Sequence, residues 1–364
     1  MASASSLREP IEKAYETLGE IKRSDLLIQF DEWIKPLEKT LKLFREGGFG
    51  TIDEFCYLTR NKRSGEVSDL KKVLRLAFAL NRPENKYAES DYYPFIQKLF
   101  ADDLQTLRDD VVVISFNYDP YLEWLLYRAV QTRIEAISMV GTPFGGMATA
   151  VTSGFIDRSI ERISRDDGFC LLKLHGTVAW PATLQKGVRA MPDCDWNVFY
   201  GERCLQSLTS KEHGQSAPPI LFPWETLGQK SAFALTDSEH EPGIKAGGYT
   251  GGNVDLHDLF QTIWGRAKAE VLAANRISFI GISMHEYIHA GFRVLFEGKN
   301  TPIDLVVADS TCVGDQHGRM IRNPVNPRSV ESRVQKLLDD VCPNSKRQTE
   351  RVRSSFREFI ANEL

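Results

Sequence analysis

A chain of 364 residues with 42% hydrophobic and 26% charged side chains has the make-up of an ordinary globular protein. It is long enough to bury a large core without disulfides or a structural metal. A net charge of -4 and a pI near 6.0 argue against the basic field that nucleic-acid binding uses.

No apolar run is long enough to span a bilayer. The opening M-A-S-A-S-S-L-R-E-P lacks the basic-then-apolar order of a secretory leader. The six cysteines are scattered and form no C-x-x-C pair. A cytoplasmic protein with reduced thiols and no zinc ribbon is therefore expected.

The first 110 residues read as helical. Residues 11–18 are amphipathic, and Leu37, Leu41 and Phe44 recur at helical spacing. Residues 68–80 place Leu70, Val73, Leu74 and Leu76 on one stripe, and residues 93–107 suggest another helix. The cluster R-N-K-R-S-G-E at 60–66 reads as a solvated loop.

The pattern changes at Asp110. The run V-V-V-I-S-F at 111–116 is short, apolar and β-branched, as suits a parallel strand buried on both faces. A helix is expected over 121–130, and further buried strands over 136–140, 170–174, 277–282 and 303–308. Helical patterns, such as 256–272, separate several of them. Strands alternating with helices predict an α/β fold with a mostly parallel central sheet covered on both faces.

Residues 191–253 are richer in Gly, Pro and polar side chains. They include P-P-I-L-F-P-W and A-G-G-Y-T-G-G, and read as a loop-rich insertion. Residues 330–338 and 352–364 are expected to be closing helices. Length alone suggests roughly two domains. The expected organisation is a helical part over 1–110, a core over 111–310 and a helical extension over 311–364.

Two strand ends carry polar residues suited to chemistry. S-F-N-Y-D-P spans 115–120, with Asn117 and Asp119 just beyond a strand and before a helix. In open α/β sheets, ligands bind beyond the carboxyl ends of strands. Asp119 is equally suited to cap the following helix, with Pro120 in its first turn. Asn117 has a plainer role available as a turn residue. L-L-K-L-H-G-T-V-A-W spans 171–180 and puts His175 and Gly176 after another strand. A histidine in such a place is more often a satisfied polar group than a catalyst. The two motifs together carry more than either alone.

These residues resemble the sirtuin-like family, whose members carry N-x-D after one strand and H-G after another. The likeness runs in order through T-I-D-E-F at 51–55, G-T-P-F-G at 141–145, F-I-G-I-S at 279–283 and L-V-V-A-D at 305–309. It covers residues 49–310, and without paired C-x-x-C motifs it looks closer to the bacterial NAD-hydrolysing branch than to protein deacylases.

The resemblance implies a Rossmann-like sheet and NAD as substrate, with no metal. It gives Asn117, Asp119 and His175 the catalytic roles. Asn117 would orient the nicotinamide ribose or a water, Asp119 would hold the nicotinamide side of the pocket, and His175 would act as general base. Ser115, Phe116, Tyr118 and Gly176 would line the NAD site, Gly281 and Ser283 would approach the adenosine ribose, and Asp309 would flank the adenine. The family opens with a strand and a Gly-Ala-Gly phosphate loop, where this sequence offers A-S-A-S-S at 2–6. The branch further implies an effector of antiphage defence. It would work as a homo-oligomer or in a complex with a defence partner such as an ATPase or phage-sensing subunit, without membrane or direct nucleic-acid contact.

Two other readings remain. One is a catalytically silent NAD- or ADP-ribose-sensing or scaffolding subunit. The other is a zinc hydrolase built on H-E-Y-I-H, where His285 and His289 share a helical face and Glu286 activates a water. Glu297 or Asp309 would then supply the third ligand. This is the weaker reading, because such short motifs arise by chance. Trp124 and Trp264 fall in helical patterns as core residues. Trp180 and Trp224 lie in loops where they could cover a nucleotide or merely pack. Asp255, His257 and Asp258 read as a helix start.

Overall fold

A computed structural model describes residues 92–100, 108, 110–119, 121–122, 125–126, 129, 148–149, 170–178, 220–222, 256–281, 286–308, 312–314, 320–322, 330–342, 347–353 and 356–364. It also describes helical positions at 39, 42–43, 46, 70–71, 74 and 78. The described part mixes helices with parallel strand pairs, as an α/β protein does. Two units separate by their internal contacts: residues 1–87 with 107–263, and residues 88–106 with 264–364.

In the first unit, strand β1 (Val112–Ser115), strand β2 (Ala148–Thr149) and strand β3 (Cys170–Lys173) form a sheet in the order β1-β3-β2. The β-branched run at 112–114 suits an extended backbone, where branched side chains fit the pleated surface. β1 and β3 run parallel, with Val112 beside Cys170 and Ser115 beside Lys173. Neighbouring side chains of a strand point to opposite faces. Leu171 and Leu172 are both fully buried, so the sheet is covered on both sides at β3. The expected strand at 136–140 and helix at 11–18 rest on residues outside those described, as do Leu37, Leu41 and Phe44, while positions 39, 42–43 and 46 among and after them are helical.

The second unit contains helix α1 (Tyr92–Lys98), strands β4 (Arg276–Ile280) and β5 (Ile303–Ala308), and helix α3 (Glu286–Phe296) between those strands. The preceding helix α2 (Leu256–Ala273) belongs to it from Trp264 onward. Then come β6 (Cys312–Gly314) and β7 (Met320–Arg322), an antiparallel pair, followed by helix α4 (Val330–Val341), strand β8 (Arg347–Arg353) and helix α5 (Phe356–Glu363). The sheet order is β4-β5-β8, all parallel. Parallel neighbours need a long crossover, which α3 supplies between β4 and β5.

β5 is the central described strand, and Leu305, Val306 and Val307 are fully buried. β4 is less covered than its apolar sequence suggests: Phe279 is buried, but Arg276 and Ser278 are exposed, because β4 lies at the sheet's edge among the described residues. Two helix expectations change. The helix expected over 93–107 ends at Lys98, and Leu99 and Phe100 turn back on Ile96 and Gln97. Val352, expected in a helix, lies in β8, so the closing helix starts only at Phe356.

Polar side chains fasten this unit. Arg276, the cross-strand partner of Asp304, donates through Nη1 to the Glu363 carbonyl at 3.0 Å and pairs through Nη2 with the Glu363 carboxylate. Its Nε lies 3.4 Å from Asp304 Oδ2. The Phe356 ring contacts Tyr92 at 5.0 Å and Phe95 at 5.5 Å, joining α5 to α1. Buried Lys299 donates from Nζ to the carbonyls of Leu272, at 2.9 Å, and Ala274, satisfying acceptors at the end of α2. Burial lowers its pKa. Gly298 follows α3 with φ of 92°, a left-handed backbone that glycine adopts without strain.

Truncating Leu305→Ala should lower the unfolding free energy by about 2–5 kcal/mol, as large-to-small core changes do. Urea denaturation reads this as a lower midpoint. An unchanged midpoint would contradict the central place of β5.

Candidate functional site

The parallel register ends β1 and β3 at the same level. Ser115 stands beside Lys173, and the Leu174 N–H donates to the Ser115 carbonyl at 3.0 Å, one step past the ladder. Two loops leave from this edge and stay together, because the Val178 N–H donates to the Tyr118 carbonyl at 2.9 Å. The N-x-D and H-G segments are therefore neighbours in space.

Ser115 Oγ accepts the Asn117 N–H at 3.3 Å, a local turn that takes the chain out of the strand. Asp119 Oδ1 accepts the Tyr121 N–H at 3.0 Å. That is the bond of a helix N-cap, so the capping role anticipated from sequence is real. On the other loop, the Gly176 N–H donates to the Lys173 carbonyl at 3.1 Å, closing a tight turn over Leu174 and His175. Gly176 has a φ of 69°, which explains glycine after this histidine. The His175 carbonyl accepts the Leu221 N–H at 3.0 Å.

The His175 ring sits among aromatic rings and is 3% exposed. Phe116 meets it edge-on at 5.4 Å, and Tyr118 stacks on it at 5.9 Å. Phe222 meets Tyr118 at 5.7 Å, and the Lys71 ammonium lies 5.6 Å from the Phe222 ring centre. Burial lowers the His175 pKa to about 3, and the nearby Lys173 charge acts in the same direction. The imidazole is therefore neutral across the physiological range. It can accept a proton, with less driving force than the near-neutral base expected from sequence.

The structure thus brings together Ser115, Phe116, Asn117, Tyr118, Asp119, His175 and Gly176 at one sheet edge. Gly281 belongs to the other unit. It follows β4 with φ of 61°, and its N–H lies 3.4 Å from the Ala308 carbonyl at the end of β5. Ser283 and Asp309 fall outside the described residues, as do Trp180 and Trp224.

Three neighbours were not singled out from sequence: Lys71, Lys173 and Phe222. Phe222 comes from the I-L-F triplet at 220–222, whose residues are buried although the surrounding stretch reads as loop. The two prolines before it and the one after were the available signal.

For the H-E-Y-I-H segment, α3 starts at Glu286 and contains His289, while His285 lies outside the described residues. Glu297 instead accepts from Lys268 Nζ at 3.2 Å. Among the described residues no group of three or more His, Cys, Asp or Glu side chains is placed to hold a metal ion. Among them, too, no helix is long and apolar enough to cross a membrane. Compared with known proteins, the chain matches no family model, no curated protein and no solved structure.

A depressed histidine pKa links stability to pH. Between pH 6.5 and about 3 the unfolded chain binds a proton that folded His175 refuses. This contribution to stability is intact above pH 6.5 and is lost as pH falls through that window. In urea titrations from pH 7 to 4, wild type should lose more stability than His175→Gln. Parallel losses in the two proteins would contradict a buried neutral His175.

Proposed function

We propose that this chain is a sirtuin-like NAD hydrolase that converts NAD and water to nicotinamide, ADP-ribose and a proton. One observation carries the reading: the N-x-D and H-G loops leave adjacent parallel strands at the same level, joined by backbone hydrogen bonds. A Rossmann-like sheet is the fold proposed with it, and the parallel pairs in both units support that architecture.

The chemistry suits the residues. Breaking the bond between C1′ of the ribose and the nicotinamide nitrogen sends its electron pair to the ring, which leaves neutral and needs no general acid. The sugar becomes oxocarbenium-like, and oriented amide dipoles and a carboxylate stabilise such a cation. Asn117 is half-buried at the loop's start, and its proposed role is to orient water or the ribose. Neutral His175 accepts a hydrogen bond, then a proton, from water or a ribose hydroxyl. Asp119 adds negative charge nearby while capping its helix.

The likeness to the defence branch extends the proposal. The chain would act as a cytoplasmic effector, as a homo-oligomer or with a partner that triggers it.

Chromatographic detection of nicotinamide after incubation with NAD tests the reaction. Asn117→Ala and His175→Ala should each reduce release by at least about 100-fold while keeping the far-UV circular dichroism of wild type. Wild-type rates in both variants would refute the site. Absence of release in every oligomeric state, with or without partner, would favour a sensing or scaffolding subunit instead. Asp119→Asn retains the cap, so its stability should match wild type within about 0.5 kcal/mol while turnover falls. Equal turnover would leave Asp119 a cap alone.

A further inference from the structure

Lys173 is the last residue of β3 and stands beside Ser115, the last residue of β1. Its side chain is 1% exposed, unusual for an ammonium group. Instead of reaching solvent, Nζ donates to the Asp119 carbonyl at 2.8 Å, 54 positions away in sequence. That carbonyl belongs to the residue whose carboxylate caps the helix at Tyr121. The backbone bond between Val178 and Tyr118 fixes the same two loops one residue earlier. The loops are therefore tied both between main chains and through a buried charge.

We propose that Lys173 is a positioning residue: its ammonium clamps the Asn117–Asp119 loop to the His175 turn. Its role in turnover rests on the hydrolase reading; its role in loop geometry does not. A buried charge costs several kcal/mol unless it is compensated. A lysine in a strand with Cys170, Leu171 and Leu172 is thus a constraint on the loop it reaches. The Asp119 carbonyl is an acceptor that meets this demand.

The charge has a second effect. After burial itself, the charge of Lys173 helps keep the His175 imidazole neutral. Among the described residues the Tyr118 and Phe116 rings also face the imidazole, the Asp119 carbonyl accepts from Lys173, and Lys71 lies against Phe222. A residue that merely filled space would not move the titration of His175.

The test uses the full chain carrying Lys173→Met or Lys173→Arg. Methionine keeps length and bulk without charge, and arginine keeps the charge and a donor. Histidine-labelled protein is titrated by NMR from pH 8 down to pH 3, and nicotinamide release is measured alongside.

In Lys173→Met the His175 midpoint should rise by about one unit, as expected when a nearby positive charge is removed. The kcat for nicotinamide release should fall at least tenfold with KM changed less. In Lys173→Arg the midpoint should match wild type, and part of the kcat should return with it. If Lys173→Met fails to fold, Lys173→Arg decides: a folded Arg variant with a wild-type His175 midpoint supports the clamp. An unfolded or shifted Arg variant overturns it. A Met variant with wild-type midpoint and kcat also overturns it. If wild type releases no nicotinamide, the hydrolase reading fails, while the His175 titration still decides the clamp.

Discussion

The register between β1 and β3 is the constraint on which the candidate site depends. A slip of one residue in this pairing would turn every side chain of the strand over and carry the Asn117–Asp119 loop away from the level of the His175 turn. Cys170, Leu171, Leu172 and Lys173 are all buried, and the pairing fixes Ser115 beside Lys173. From that level both polar loops depart, and every later contact in the site follows from it. The bonds from Leu174 to Ser115 and from Val178 to Tyr118 continue the ladder into the loops.

Buried lysines recur in the molecule, each with a different solution to the cost of a charge away from water. Lys173 reaches a loop carbonyl, Lys299 the carbonyls ending a helix, and Lys71 lies near an aromatic face. The first and third belong to the unit that holds His175, and the second belongs to the other. A buried ammonium demands a partner at a fixed place, so each defines its loop or helix end more sharply than an apolar residue could. Around His175 this combines with burial and the Phe116 and Tyr118 rings to give a neutral imidazole.

Much of the strand content was legible in the sequence, because parallel strands buried on both faces need continuous apolar, β-branched runs. C-L-L at 170–172 and I-D-L-V-V-A at 303–308 carry that signal and are largely buried; V-V-I at 112–114 carries it too and forms a strand, but β1 is only half-buried along its length. R-Q-T-E-R-V-R at 347–353 does not: with one apolar residue it reads as solvated, yet it is a strand paired to one side of β5. Among the described residues β8 lies at the sheet's edge, where charges discourage further pairing. Within the site, Asn117, Asp119 and His175 were legible because polar residues after apolar runs stand out. Lys173 was not, since a lysine after C-L-L reads as a side chain reaching for water, and its burial depends on a loop 54 positions away. Phe222 was hidden for a similar reason: its neighbours in sequence are loop residues, while its neighbours in space are Tyr118 and Lys71.

The central claim is that the joined loops at the ends of β1 and β3 receive NAD. The most direct test follows the His175 ring resonances of histidine-labelled protein as NAD is added, using His175→Gln to assign them. A saturable shift of His175, lost in Asn117→Ala, is the expected result. NAD binding that leaves His175 unmoved, or no binding at millimolar NAD, would contradict the claim.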